Sequence, residues 1–89
     1  LNDFAVRLCP VTRDEALDMI HELKGYPVLR GDRGQSGGDI DALADLVAAV
    51  STLGHRRPDI LELDLNPVMV LEHGKGALAV DARVVLQSA

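Results

Sequence analysis

Ile60-Leu61-Glu62-Leu63-Asp64-Leu65-Asn66-Pro67-Val68 alternates apolar and polar side chains without a break from Leu61 to Asn66. In an extended chain successive side chains point to opposite faces, so Leu61, Leu63 and Leu65 share one face and Glu62, Asp64 and Asn66 the other. After Pro67 the extended pattern resumes from Val68 to Leu71. Glu72-His73-Gly74-Lys75-Gly76 supplies a turn, and Leu78 to Leu86 reads as a further strand. The stretch predicts a hairpin with one apolar face, which another layer must cover.

Upstream lie the elements able to cover it. Asp39 can cap a helix whose Ile40, Leu43, Ala44, Val47, Val50 and Leu53 share one face, with Gly54 as its stop. Before it, Arg30-Gly31-Asp32-Arg33-Gly34-Gln35-Ser36-Gly37-Gly38 holds four glycines and reads as an exposed loop, preceded by Tyr26-Pro27-Val28-Leu29 as a short edge strand. Thr12 and Glu15 form a capping box for an earlier helix with Ala16, Leu17, Ile20 and Leu23 at helical spacing, ended by Gly25. Phe4 to Cys9 alternates as a first strand, stopped by Pro10. The order strand, helix, loop, helix, strand, strand predicts an α+β architecture, a small antiparallel sheet covered by two helices.

Bulk properties narrow the function. At 89 residues the chain is one small domain, burying about two-thirds of its unfolded surface. Hydrophobic residues make up 47% and aromatics 2%, so the core is built from Leu, Val, Ile and Ala, and no aromatic platform for single-stranded nucleic acid exists. A net charge of -5, with basic residues scattered apart from Arg30, Arg33 and the pair Arg56-Arg57, opposes nucleic-acid binding. The single cysteine, Cys9, excludes an internal disulfide, lies in an apolar stretch that reads as core, and fits a reducing, cytoplasmic setting. No apolar run approaches the roughly 18 residues of a membrane span. The start at Leu1-Asn2-Asp3, without an initiator Met or signal-peptide features, reads as a piece of a longer chain.

The polar face of the hairpin is the chemical candidate. A turn centred between Gly74 and Lys75 pairs Asn66 with Arg83 and Val68 with Asp81, leaving Asp81 diagonal to Asn66 at roughly 7 to 8 Å. Asp64, Asn66, Asp81 and Arg83 then converge, whereas a one-residue slip would carry Asp81 to the opposite face. A carboxylate and an amide oxygen held together are hard ligands suited to magnesium that keeps waters and takes phosphate oxygens. The plain alternative is that alternation merely marks the wet face of a half-buried sheet.

Leu61-Glu62-Leu63-Asp64-Leu65-Asn66-Pro67-Val68, with Asp81 in Ala79-Val80-Asp81-Ala82-Arg83, resembles the end of the ATP-grasp domain of NDP-forming acyl-CoA synthetases, such as acetate-CoA ligases (ADP-forming) and succinyl-CoA synthetase beta subunits. The resemblance extends to Arg7-Leu8-Cys9-Pro10-Val11-Thr12, to Arg33-Gly34 and to Asp39. It implies that residues 1–89 are the C-terminal subdomain of an ATP-grasp domain. Asn66 and Asp81 match the family's magnesium ligands, and Asp64 matches an acidic position facing a phosphohistidine, which is glutamate in part of the wider family. Arg83 is available to the transferred phosphoryl, and Arg33 matches a recurrent arginine placed with the cofactor-binding candidates. The implied reaction converts acyl-CoA, nucleoside diphosphate and phosphate into acid, CoA and nucleoside triphosphate, with Mg2+ and ATP or ADP bound here and CoA by other domains or subunits.

Other features carry less. The glycine loop lacks a Gly-Lys-Ser/Thr and a parallel βαβ setting, so it reads as a flexible connection rather than a phosphate cradle. His21, His55 and His73 have no second His or Cys at metal-binding spacing and read as exposed side chains without partners. The second functional class is a non-catalytic, regulatory or assembly ATP-grasp-like module, for example in a protein acyltransferase fusion. With an apolar face uncovered, the segment alone is expected to self-associate.

Overall fold

The computed structural model describes residues 3–32, 34 and 36–88. Its elements are α1 (Arg13–Glu22), α2 (Tyr26–Arg30), α3 (Ile40–Arg56), β1 (Ile60–Leu65), β2 (Val68–Val70), β3 (Ala77–Ala79) and β4 (Ala82–Leu86). The class is α+β, with β1 paired to β4 and β2 to β3 in two antiparallel two-stranded sheets.

Helix α1 starts at the expected capping box. Thr12 Oγ1 accepts from the Glu15 N–H at 3.1 Å, and the Glu15 carboxylate accepts from the Thr12 N–H at 3.2 Å. The helix buries Ala16 and Ile20 against Ala44 of α3, with Leu17, Tyr26, Leu29, Ile40, Leu43 and Val47 packed around them. Two alanines at the contact let the helix axes come close. Helix α3 packs on α1 and in turn on β2 and β3.

Four expectations about the helical half are corrected. Residues 26–29 are helical rather than an edge strand, because Pro27 suits a helix's first turn and Gly31, at φ 93°, closes its C-terminus in the left-handed conformation. Helix α3 runs past Gly54 to Arg56. One glycine costs a helix only about 1 kcal/mol, and His55 and Arg56 favour the negative end of the helix dipole. The chain from Phe4 to Cys9 is not assigned to a strand. Alternation makes it extended, but no strand among the described residues pairs with it. Cys9, at its end, is exposed rather than core.

Side-chain ties hold this extended segment on the helices. The Asp3 carboxylate accepts from the Lys24 and Gly25 N–H groups at 2.6 and 2.9 Å, Arg7 pairs with Glu22, and the Val11 N–H donates to buried Ser51 Oγ at 2.6 Å. Phe4, Val6 and Leu8 point outward, 71%, 71% and 91% exposed.

The hairpin keeps one register across both sheets, with Val68 opposite Ala79, Leu65 opposite Ala82 and Asp64 opposite Arg83. Between the sheets the Val80 N–H donates to the Pro67 carbonyl and the Asn66 N–H to the Asp81 carbonyl, so the anticipated strand from Leu78 to Leu86 is split at Val80 and Asp81. The pairing differs by two residues from a turn centred between Gly74 and Lys75. Glycines at positive φ, Gly74 at 81° and Gly76 at 98°, centre the turn one residue earlier, with the Leu71 N–H donating to the Gly76 carbonyl at 3.0 Å. Because the strand repeat is two, every side chain keeps its expected face. Leu61 is the exception. The register shifts between Ile60 and Glu62, and Leu61 is left 60% exposed while Leu63 and Leu65 turn toward α3.

Helix and hairpin meet at Asp39, which is buried. Its Oδ1 accepts from the Ala42 N–H at 3.1 Å, capping α3, and its Oδ2 accepts from the Gly76 N–H at 2.8 Å. Its own N–H donates to the Leu71 carbonyl at 2.7 Å, while the His73 N–H donates to the Gly37 carbonyl at 3.0 Å. Gly38 lies against Val70, where a Cβ would meet Val70 Cγ1 at 2.9 Å. The end of the glycine loop is thus a fitted contact rather than a free connection.

Two measurements test this joinery. Ser51→Ala strands the buried Val11 N–H, a loss of about 1–3 kcal/mol that the better helix propensity of alanine offsets only by about 0.5 kcal/mol, so denaturant unfolding should show a net loss above 0.5 kcal/mol. The Asp39 carboxyl is held below its ordinary range by hydrogen bonds from the Ala42 and then the Gly76 N–H groups. A folded pKa below the unfolded one adds stability that is complete above the unfolded carboxylate value of about 4 and fades as pH falls through the folded value. Asp39→Asn should therefore melt lower than the wild type at neutral pH, the gap narrowing as pH falls below about 4.

Candidate functional site

Strand β1 delivers Glu62 and Asp64 to its polar face by simple alternation, and Asn66 follows directly after its last residue. The returning chain brings Asp81 opposite Asn66, their backbones joined by the 3.2 Å bond from the Asn66 N–H to the Asp81 carbonyl. Asp81 is therefore the direct cross-strand neighbour of Asn66, not its diagonal one. Directly opposite positions lie closer than diagonal ones, so the two oxygen-bearing side chains are nearer than anticipated. Two rungs along, past Leu65 and Ala82, Arg83 faces Asp64.

The guanidinium of Arg83 does not pair with Asp64. Its Nη1 contacts Glu62 Oε2 at 3.3 Å, with side chains 70% and 64% exposed. Glu62 was absent from the candidates read in the sequence, yet the signal was available, since it precedes Asp64 by two and so lies diagonal to Arg83 on the same face. An exposed pair of this kind contributes about 0.2–1 kcal/mol, so a more highly charged group can draw the guanidinium away. Asp81 Oδ1 accepts from the Ala82 N–H at 2.8 Å, an aspartate bonding its own following amide, which holds one oxygen and leaves the other available.

Among the described residues no three His, Cys, Asp or Glu side chains gather to hold a metal ion. A caged structural ion is not what these residues suit. One carboxylate and one amide oxygen, both exposed, do fit magnesium, which retains several waters and is completed by phosphate oxygens. Arg33 lies outside the described residues.

The histidines sit apart from this face. His21 is exposed but partnered, its Nδ1 2.7 Å from the Leu17 carbonyl and its ring 4.4 Å from that of Tyr26. Arg30 pairs with Asp32 and lies 5.4 Å from the centre of the Tyr26 ring. A cleft of about 400 Å³ between Arg30, Gly38, Asp41 and His73 opens at the turn end of the hairpin, away from the Asn66–Asp81 rung. No helix among the described residues is long and apolar enough to cross a membrane.

The same arrangement of elements recurs in known proteins. The chain is 50% identical over 86 residues to the acetate–CoA ligase [ADP-forming] I of Archaeoglobus fulgidus, covering 97% of this chain and 12% of that protein. It is 44% identical over 86 residues to the beta subunit of acetate–CoA ligase [ADP-forming] I of Pyrococcus furiosus, covering 97% of this chain and 36% of the subunit. The crystal structure of PH1788 from Pyrococcus horikoshii superposes with a TM-score of 0.90 at 42% identity, over 98% of this chain and 37% of that one. An acetyl-coenzyme A synthetase 1 from Ca. Korarchaeum cryptofilum, in complex with coenzyme A and Mg-AMPPCP, gives 0.84 at 37% identity, over 93% of this chain and 38% of that one. In that structure a phosphohistidine segment points towards the nucleotide binding site. The chain spans little more than a third of the length of these relatives at most. Residues 1–86 match the ATP-grasp domain family, to which this chain belongs.

Proposed function

We propose that the chain is the magnesium-nucleotide-binding part of an NDP-forming acyl-CoA synthetase, the C-terminal subdomain of an ATP-grasp domain in a longer protein. The observation that carries this reading is the Asn66–Asp81 rung, with Asp64 and Arg83 two rungs on along the same face. Its support from known proteins is the likeness to acetate–CoA ligases [ADP-forming] and to a synthetase complexed with Mg-AMPPCP. The whole enzyme would convert acyl-CoA, nucleoside diphosphate and phosphate reversibly into acid, CoA and nucleoside triphosphate, through an acyl phosphate and a phosphohistidine. CoA and the phosphohistidine belong to the remaining domains or subunits, and we assign the reaction to the cytoplasm.

In this reading the Asn66 amide oxygen and the Asp81 carboxylate hold Mg2+, which when bound neutralises phosphate charge. The Asp64 carboxylate faces the phosphohistidine. Arg83, only weakly held by Glu62, turns to the transferred phosphoryl, and Arg33 joins the nucleotide contacts. Without its other domains the segment turns nothing over and leaves Phe4, Val6 and Leu8 uncovered.

Nucleoside triphosphate formation from acetyl-CoA, diphosphate and phosphate tests the reading in the full-length parent. Asn66→Ala and Asp81→Ala, each shown folded by circular dichroism, should lower turnover by about 10²-fold or more, with excess magnesium restoring part of it. An inactive wild type, or variants that match it, would make the polar face scaffolding and favour a regulatory module. For the segment alone, sedimentation should reveal dimers or larger species; monomer throughout at high concentration would contradict self-association.

A further inference from the structure

We propose that Asp39 is a positioning residue that locks the register of the hairpin, and through it the juxtaposition of Asn66 with Asp81; this rests on the metal-site reading above. The ladder's last rung before the turn is Leu71 with Gly76, joined by the Leu71 N–H donating to the Gly76 carbonyl at 3.0 Å. The other two groups of that rung are both taken by Asp39. The Gly76 N–H donates to Asp39 Oδ2 at 2.8 Å, and the Leu71 carbonyl accepts the Asp39 N–H at 2.7 Å. One residue of the helical layer thereby grips both strands at the rung where the register is decided.

The grip is anchored in turn. Asp39 Oδ1 accepts from the Ala42 N–H, so the carboxylate is fixed to the first turn of α3 and cannot follow a sliding strand. Gly37 takes the His73 N–H, and Gly38 donates to the Leu29 carbonyl at 2.7 Å, so the residues before Asp39 are fastened too. From Leu71 and Gly76 the pairing runs through Val70–Ala77, Met69–Leu78 and Val68–Ala79 to Pro67–Val80 and Asn66–Asp81 without a change of register.

A register slip at the turn is therefore transmitted to the site. A slip of one residue would turn Asp81 to the face opposite Asn66, and a slip of two would put Asp81 two rungs away. Hairpin register is normally fixed by the turn and the hydrophobic pattern. Here the turn's two glycines and the half-buried Val68, Val70, Ala77 and Ala79 favour this register, while the face of Met69 and Leu78, 50% and 60% exposed, adds little to it. Asp39 adds a tie to both strands at their last rung. The simpler role, an N-cap for α3, accounts for Oδ1 but not for Oδ2 or the bond to Leu71.

Asp39→Ser separates the two roles in the full-length parent. Its hydroxyl still caps Ala42 but is too short to bridge to Gly76. The magnesium concentration for half-maximal triphosphate formation should rise about tenfold, within the range that loss of an orienting partner produces. Turnover at saturating magnesium should stay within about twofold, and hydrogen–deuterium exchange of the 66–81 peptide should quicken about tenfold or more. Thr12→Ala, which removes the α1 cap and touches nothing in the hairpin, should leave both readings at wild type.

A folded Asp39→Ser with wild-type magnesium dependence and exchange would overturn the lock, as would an equal shift in Thr12→Ala. If Asn66→Ala leaves the magnesium requirement unchanged, the metal-site reading fails instead. Exchange of the 66–81 peptide then decides the lock alone, slow exchange in Asp39→Ser overturning it and fast exchange upholding it. Should Asp39→Ser not fold, Asp39→Asn, with one acceptor oxygen for two donors, carries the same comparison.

Discussion

The carboxylate of Asp39 receives N–H groups from two separate elements, Ala42 in the first turn of α3 and Gly76 beyond the hairpin turn, while its backbone reaches Leu71. A buried acceptor bonded on both oxygens avoids the cost of desolvation that an unpaired carboxylate would carry. Because β1 and β4 follow on from β2 and β3 in one register, everything on the polar face inherits its position from this joint.

The apolar contribution to holding the fold together is modest by contrast. Ala16, Ile20 and Ala44 form the buried cluster, and no large side chain among the described residues is fully buried. Twelve larger apolar side chains among the described residues are exposed instead, ten of them along residues 4–8 and in the hairpin, with Val28 and Leu53 on the helices. Short polar ties such as Asp3 to Lys24 and Gly25, and Val11 to Ser51, hold what burial does not. An uncovered apolar surface of this extent is one that contact with another surface would bury.

Much of this was legible in the sequence, and what was not has local causes. The capping box at Thr12, the Asp39 cap and the alternation from Glu62 to Asn66 are patterns whose geometry depends only on near neighbours, and they stand as read. Residues 26–29 and 4–9 misled because Pro27 serves a helix start as readily as an edge strand, and because alternation says nothing about whether a partner edge exists. The turn centre sits one residue earlier than the sequence pattern placed it, with Gly74 and Gly76 both at positive φ. Asn66, Asp81, Asp64 and Arg83 nevertheless keep their expected faces, since an even shift preserves parity. Glu62 and the partners of Asp39 were hidden for different reasons, the first overlooked as surface charge and the second requiring contacts between residues more than thirty apart.

Gly38 and Val70 meet so closely that they behave as one steric unit shared between two elements. A methyl added at position 38 has room only if position 70 gives one up, so the substitutions these two sites tolerate are coupled. Diverging copies of this fold would be expected to change them as a pair, with the intermediate carrying a strained joint, and that constrains the order in which the loop and the hairpin can evolve.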